Sequence, residues 1–265
     1  MNTILKYFIV LLFFTYKCSD YEATRSNPLD PANSDYIYPF ITILSGPEEN
    51  ETIHSSEVVF TYNGNQTNML FRTKFNDDIW SDWENSTTAS FAYLDEGSHT
   101  FQLQGKFSTG DTSDVVRVNF DIDAVTGPAL LFNPRRHFTT QGNVVTFYVM
   151  AEEVYDLTGM EMVIRYNPEY IGIEAVRQGS IFNGFADAIF FSDNQSSLGR
   201  LSITCGIWGG EETSFTGTGS IVEIDVQLKV QDDATIEFDG SELFRDYNNE
   251  PIIILEAIDA LVQSL

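Results

Sequence analysis

The chain is poor in the residues that most metal proteins and many small enzymes depend on. Its 265 residues include two cysteines, Cys18 and Cys205, and three histidines, His54, His99 and His137. Two cysteines cannot build a disulfide framework or a cysteine-rich zinc site. The histidines lie far apart and have no metal-ligand spacing. We therefore expect no metal and no cofactor in this chain.

Recognisable catalytic motifs are missing as well. The sequence has no Gly-x-Ser-x-Gly elbow, no phosphate-binding loop and no dinucleotide fingerprint. Cys205 lies in an alternating stretch without an evident base partner, as is usual for an inert buried thiol. A carboxylate pair for glycoside hydrolysis stays open among the 39 acidic residues, because a sequence does not show distances in space. We predict that the chain is not an enzyme.

Positive charge is scarce. Only 14 lysines and arginines face 39 acidic residues, which gives a formal net charge of −25. Such a surface repels nucleic acid and anionic lipid headgroups, so we predict no nucleic-acid partner. The charge either favours basic partners and cations or serves solubility on a crowded surface.

Long apolar runs are absent except at the N-terminus. The run over residues 7–16 follows a short positive segment and ends at Lys17 and Cys18. It is too short to span a bilayer and is typical of a secretory signal. The Cys at its end resembles the bacterial lipoprotein pattern, although Thr15, Tyr16 and Lys17 depart from it. The resemblance implies a signal peptide over residues 1–17 and lipidation at Cys18, whereas an ordinary secretory signal is the alternative.

Residues 18–38 are polar and rich in Asn, Asp, Ser and Pro, which predicts a flexible tether. Within them, Asn27-Pro28-Leu29-Asp30-Pro31 resembles a segment found after the lipidated Cys of many envelope lipoproteins. The expected location is the cell envelope, on the outer membrane or cell surface, with the lipid anchor as the only membrane contact.

The remainder is patterned for strands. Phe (21) and Tyr (12) are abundant, and short alternating segments are separated by turn dipeptides such as Asn63-Gly64. We predict an all-β fold of two β-sandwiches, over residues 39–123 and 129–265, joined by residues 124–128.

The first sandwich resembles an immunoglobulin-like repeat. Phe71, a turn that bears Trp80, and a corner from Leu94 to Phe101 follow one another in that family's order. The stretch is similar to the triple-tyrosine class of envelope modules, with Phe in place of most tyrosines. Trp80 and Trp83 are either an aromatic platform for sugars or a cap on the core.

Three stretches of the second sandwich resemble cohesins, in the order that family requires. They are residues 140–149, residues 157–168, which end in Tyr166-Asn167-Pro168, and residues 217–224. Asn167 stands where cohesins usually have Asp. The resemblance implies a nine-stranded jelly roll.

The same resemblance implies a function. Cohesins bind dockerins, small calcium-loaded helical domains on other proteins, so calcium is expected in the partner and not in this chain. Carried over, the partner-binding residues are Glu161, Phe191, Ile207 and Trp208. Each has an ordinary alternative: a solvated strand residue for Glu161, a core residue for Phe191 and a sandwich lid for Trp208.

Three functions are therefore open. The first is an envelope scaffold that binds a dockerin-bearing protein and is linked to polysaccharide catabolism. The second is a surface module that binds carbohydrate or mediates adhesion through the same sandwich faces. The third is a structural envelope protein without a dockerin partner.

Overall fold

The computed structural model describes residues 27–185, 188–208 and 213–265. Cys18 and the predicted signal peptide lie outside the described residues, as does the first part of the tether. The described residues form nineteen strands and two 3-10 turns, Ser180–Phe182 and Ser196–Leu198. The predicted all-β class is confirmed. Within these ranges, no helix is long and apolar enough to cross a membrane.

Seven strands form two sheets in the first unit. They are β1 (Ile41–Ser45), β2 (Glu51–Ile53), β3 (Val58–Gly64), β4 (Leu70–Phe75), β5 (Thr88–Phe91), β6 (Gly97–Lys106) and β7 (Val116–Ile122). The sheet orders are β1-β3-β5 and β2-β7-β6-β4. Strands β2 and β7 pair in parallel, and the other pairs are antiparallel.

The core of the first unit is aromatic. Phe60 of β3 and Phe101 of β6 are fully buried, and their rings stack with centroids 3.9 Å apart. Phe75 stacks on Phe91 at 4.3 Å. Because alternate residues of a strand point to opposite faces, the same alternation that buries these rings turns their neighbours outward.

Twelve strands form the second unit. They are β8 (Ala129–Asn133), β9 (Arg136–Thr139), β10 (Val144–Tyr166), β11 (Ile171–Gln178), β12 (Ala188–Gln195), β13 (Arg200–Ile207), β14 (Phe215–Leu228), β15 (Ala234–Phe238), β16 (Leu243–Asp246), β17 (Pro251–Ile252), β18 (Glu256–Ile258) and β19 (Ala260–Ser264). The number exceeds the nine expected because β16, β17 and β18 are additional segments of only two to four residues.

Strand β10 belongs to both sheets of this second sandwich. Its first half pairs with β14 and β8, and its second half pairs with β13, β15 and β16. Between the halves, Glu153 and Asp156 have positive φ angles of 49° and 52°, and the register with β14 shifts. Bulges of this kind bend a strand, so β10 passes from one sheet to the other. Buried aliphatic residues such as Val149, Val222 and Ile224 fill the space between.

The two units touch through a buried arginine. Nη2 of Arg135 donates to Oε1 of Glu96 at 2.7 Å, and the Arg135 side chain is only 4% exposed. Its backbone N–H donates to Oδ1 of Asp95 at 2.6 Å. The segment that joins the two units, residues 124–128, is also packed in place, because Val125 is buried against Ala129 of β8. Independent folding of the two predicted domains stays a prediction.

Candidate functional site

The outer face of the sheet β12-β13-β10 follows from the two-residue period of its strands. In β13, Ile203 and Cys205 are buried and Thr204 between them is exposed. In β10, Met160 and Met162 are buried around the exposed Glu161. The outward residues of neighbouring strands therefore lie side by side on one flat surface.

One cross-strand row holds the two predicted residues Phe191 and Glu161. Both pair with Thr204 of the central strand β13, on its two sides. Glu161 pairs in turn with Leu243 of β16. Phe191 is 67% exposed and Leu243 is 50% exposed. We define these four residues as the docking row, which spans about 14 Å because neighbouring strands lie about 4.8 Å apart.

The next cross-strand row on the same face has an apolar residue at one end, a charged residue at the other end, and two glycines between them. Ile189 pairs with Gly206, and Gly206 pairs with Gly159, which faces Arg245. Two adjacent glycines have no side chains, so the sheet surface is bare between Ile189 and Arg245. The surface beside the docking row is therefore formed by backbone at these two positions.

The remaining two predicted residues, Ile207 and Trp208, differ in their exposure to solvent. Ile207 is 8% exposed and belongs to the core, so its side chain does not reach the outer face. The reason is the alternation of β13, in which Ile203, Cys205 and Ile207 share the inward direction. Trp208 follows directly, is 74% exposed and precedes residues 209–212, which lie outside the described residues. Such exposure is incompatible with a lid on the core.

Sequence reasoning missed Leu243, Ile189 and the glycine pair. Leu243 reaches the docking row only because β16 adds to the edge of β10, a pairing between segments far apart along the chain. Ile189 carried a signal, because it is two residues before Phe191 in a strand and must share its face.

A second group of side chains lies on the first unit, around the two tryptophans singled out as a platform or cap. Ser81, between them, donates its backbone N–H to the carbonyl of Thr73 at 2.8 Å, so their segment runs along the edge of β4. The Arg72 guanidinium carbon lies over both rings, 4.6 Å from the centroid of Trp80 and 4.7 Å from that of Trp83. Both tryptophans are half-buried on the outside of the sheet and contact cations rather than the core.

No group of three or more His, Cys, Asp or Glu side chains that could hold a metal ion occurs within the described residues. Burial raises the pKa of the Cys205 thiol to about 12, so the thiol is uncharged at neutral pH. A protonated, buried thiol is a poor nucleophile and a poor metal ligand.

Comparison with known proteins gives structural neighbours only. No family model and no curated protein matches the chain. It is similar to a type II cohesin domain from the cellulosome of Acetivibrio cellulolyticus, with 13% identity, a TM-score of 0.46, and coverage of 51% of this chain and 94% of that one.

Two further structural neighbours have similar sequence identities and TM-scores. A type I cohesin in complex with a dockerin, from Clostridium thermocellum, shows 14% identity and a TM-score of 0.44, covering 52% of this chain and 98% of the other. A non-cellulosomal cohesin from the archaeon Archaeoglobus fulgidus shows 12% identity and a TM-score of 0.43, covering 52% and 90%. Likeness at this level carries no conclusion about what the chain binds.

Proposed function

We propose that this chain is a non-enzymatic docking module whose second sandwich binds a dockerin-bearing protein on the outer face of β12-β13-β10. The observation that carries the proposal is the docking row, in which Phe191 and Leu243 are exposed beside Glu161. The ordered cohesin-like stretches of the sequence support the same conclusion independently.

The physical reason is that the face is already organised before a partner arrives. Its side chains stand on a hydrogen-bonded sheet, so little backbone entropy is lost when a partner binds. Phe191 and Trp208 are 67% and 74% exposed. Large aromatic side chains of this kind are the usual energetic anchors of protein interfaces. Contact with a partner would remove this apolar surface from water.

The charge of the chain suggests the sign of the partner's surface. The net charge is −25, and Glu161 stands in the middle of the docking row. A partner with basic side chains around an apolar centre would be steered toward this face at low salt.

We further propose that the module is held at the cell envelope by a lipid on Cys18. Of the tether predicted over residues 18–38, only the part before Leu29 would act as a spacer, because Leu29 and Tyr36 pack against the core of the first sandwich. The immunoglobulin-like first sandwich then spaces the docking face from the membrane. A link to polysaccharide catabolism follows if the captured partner is a polysaccharide-degrading enzyme. Intact-mass measurement of the mature protein tests the anchor: it should show acyl chains at Cys18, and a Cys18→Ser chain should lack them.

The docking proposal is tested by titrating the detergent-solubilised chain with a calcium-loaded dockerin in a calorimeter. Removal of calcium should abolish binding, because calcium organises the partner's helices. Trp208→Ala and Phe191→Ala should each weaken binding by about 30-fold, which corresponds to about 2 kcal/mol for a central aromatic anchor.

The neighbouring residue Ile207 supplies the matched control. Ile207→Ala removes a buried side chain and should lower the free energy of unfolding by about 2–4 kcal/mol. Trp208→Ala and Phe191→Ala should change it by less than about 0.5 kcal/mol, because both side chains are exposed. Binding to soluble glycans without dockerin capture would instead favour the carbohydrate-binding function, and no binding to either would favour a structural role.

A further inference from the structure

All the cations of the first unit point to one side. Between residues 27 and 123 the only lysines and arginines are Arg72, Lys74, Lys106 and Arg117. Arg72 and Lys74 alternate in β4 with the buried Phe71 and are therefore turned outward. Four positive charges on one sheet face are unexpected in a chain whose net charge is −25.

Strand registers bring these four side chains together. Lys106 pairs with Leu70 at one end of β4, and Arg72 pairs with Gln104 of β6. Lys74 pairs with Gln102, which pairs in turn with Arg117 of β7. The Lys74–Arg117 row spans about 10 Å, two strand spacings. We define Arg72, Lys74, Lys106 and Arg117, with the two tryptophans, as the cationic face.

None of these cations forms a direct ion pair with a described acidic side chain, although Asp82 and Glu84 flank Trp83 on the segment beside Arg72. Within the described part of the chain, no ion pair involves any of the four. Arg72 is held by neutral groups instead: Nε and Nη2 donate to Oε1 of Gln104 at 3.0 and 2.7 Å, and the indoles contact the guanidinium. Lys106 Nζ lies 4.4 Å from the ring centroid of Trp83.

The orientation of Arg72 leaves one edge of the guanidinium available. Nη1 makes no hydrogen bond within the described residues, so the Nη1–Nη2 edge can present two parallel N–H donors. Two such donors match the two oxygens of a carboxylate. Because rings and amide fix the side chain in place, Arg72 is ready to bind an anion without further ordering.

The rest of the face determines the class of ligand. Its outward side chains between the cations are amides and hydroxyls, among them Gln102, Gln104, Thr100 and Asn119. No large apolar side chain of β4, β6 or β7 is exposed. A stable protein interface needs an apolar centre, and the strands of this face do not supply one, because its two large apolar side chains, Trp80 and Trp83, are half-buried at the edge of β4 and covered by Arg72 and Lys106. Amides and hydroxyls alternating with cations match a hydrated sugar chain that carries carboxylates.

The size of the face argues against nucleic acid. Beyond the cations, Glu49 accepts hydrogen bonds from both the backbone and side chain of Asn119, and Asp121 accepts one from Ser98. These carboxylates limit the positive area at the end of the sheet nearer β2. A nucleic-acid duplex requires phosphate contacts spread over a longer positive surface. The distant acids of the second unit act little on a bound ligand, because charges are screened beyond about 8 Å at physiological salt.

We infer that the cationic face of the first unit binds an acidic polysaccharide, with Arg72 and the Lys74–Arg117 row each taking a carboxylate. The inference does not depend on docking by the second unit. It also revises the platform interpretation of the tryptophans: the rings hold a cation that binds the ligand's charge, rather than stacking on a neutral sugar.

The test is calorimetric titration of the detergent-solubilised full chain with polygalacturonate oligosaccharides at 50 mM NaCl. Binding should be detectable and should weaken as salt is raised to 200 mM. The fully methyl-esterified oligosaccharides are the matched ligand control, because they keep the sugar backbone without its charge. They should give no binding.

Lys74→Gln combined with Arg117→Gln removes two cations without touching the indole contacts, and should weaken binding at least tenfold. Arg165→Gln combined with Arg200→Gln removes the same charge from the second unit and should leave affinity within about twofold. Melting curves check that both variants fold. Equal binding of the esterified ligand, unchanged affinity in the first variant, or tighter binding to single-stranded DNA or anionic vesicles would overturn the inference.

Discussion

The strands of both sandwiches alternate inward and outward residues in the same way, yet the outer faces of the two sandwiches differ in chemistry. The face of β4, β6 and β7 has cations and amides and no exposed large apolar side chain. The face of β12, β13 and β10 has exposed Phe191 and Ile189 around an acidic centre at Glu161. The inward residues of a strand determine that a sandwich forms, whereas the outward residues determine what it binds.

The cores differ as much as the faces. In the first unit Phe60 stacks on Phe101, and Phe75 stacks on Phe91. In the second unit β14 contributes buried aliphatic residues at alternate positions, from Val222 to Leu228. Aromatic rings therefore make up about half of the first core, whereas aliphatic side chains outnumber rings in the second.

Truncation of a core ring should produce the largest effect and tests whether the units unfold separately. Phe101→Ala should lower the free energy of unfolding of the first unit by about 4 kcal/mol, because the ring is fully buried and stacked. Phe147→Ala should do the same in the second unit. Calorimetry should show one transition shifting in each variant while the other stays in place.

In the same experiment, chemical labelling of Cys205 shows whether the second unit, and not the first, has unfolded. Its pKa of about 12 in the folded state lies above the ordinary thiol value, so at pH 8 the folded thiol is protonated and resists iodoacetamide. Labelling of Cys205, located by peptide mass, should accelerate in Phe147→Ala and stay slow in Phe101→Ala. Equal acceleration in both variants would mean that the units unfold as one.

Local alternation carried most of what the sequence could predict. In β10, the alternation with Thr146 and Tyr148 indicates that Phe147 and Val149 point inward, and both are fully buried. Applied to β13, it also predicts that Ile207 points inward with Cys205, although the family resemblance had put Ile207 on the binding face. Leu243 on the docking row was beyond prediction, because it depends on which distant segments pair, and side-chain period alone does not determine that. Arg72 lies beside its tryptophans for a local reason: the segment after β4 turns back along its edge, which the alternation within a strand does not specify.

Removing the contact between the two units should lower the free energy of unfolding by an intermediate amount. Arg135→Ala removes a buried cation from Glu96 and should destabilise the chain by about 2–3 kcal/mol, as expected for a charge-assisted hydrogen bond out of water. Arg165→Ala is the control, because its pair with Asp239 is half-exposed at 3.5 Å and should contribute under about 0.5 kcal/mol. A loss in Arg135→Ala no larger than the loss in Arg165→Ala would show that the buried contact does not hold the two units together.

The smallest effects are expected for one arginine of each unit: Arg72, which is half-buried, and Arg177, which is exposed. Arg177 binds the carboxylates of Glu223 and Asp225, which raise its pKa, while Arg72 is held by rings and an amide. Arg72→Ala should cost about 1–2 kcal/mol from two cation–π contacts. Arg177→Ala should lower the melting temperature slightly at 50 mM NaCl and not at all in 1 M NaCl, where charges are screened within about 3 Å. The Arg72→Ala loss should persist at high salt, because ring contact and burial of the side-chain stem are screened less. If 1 M NaCl removes the loss of stability in both Arg72→Ala and Arg177→Ala, then Arg72 is held by long-range charge rather than by the tryptophans. The proposed anion site would then lack an arginine that is fixed in place before the ligand binds.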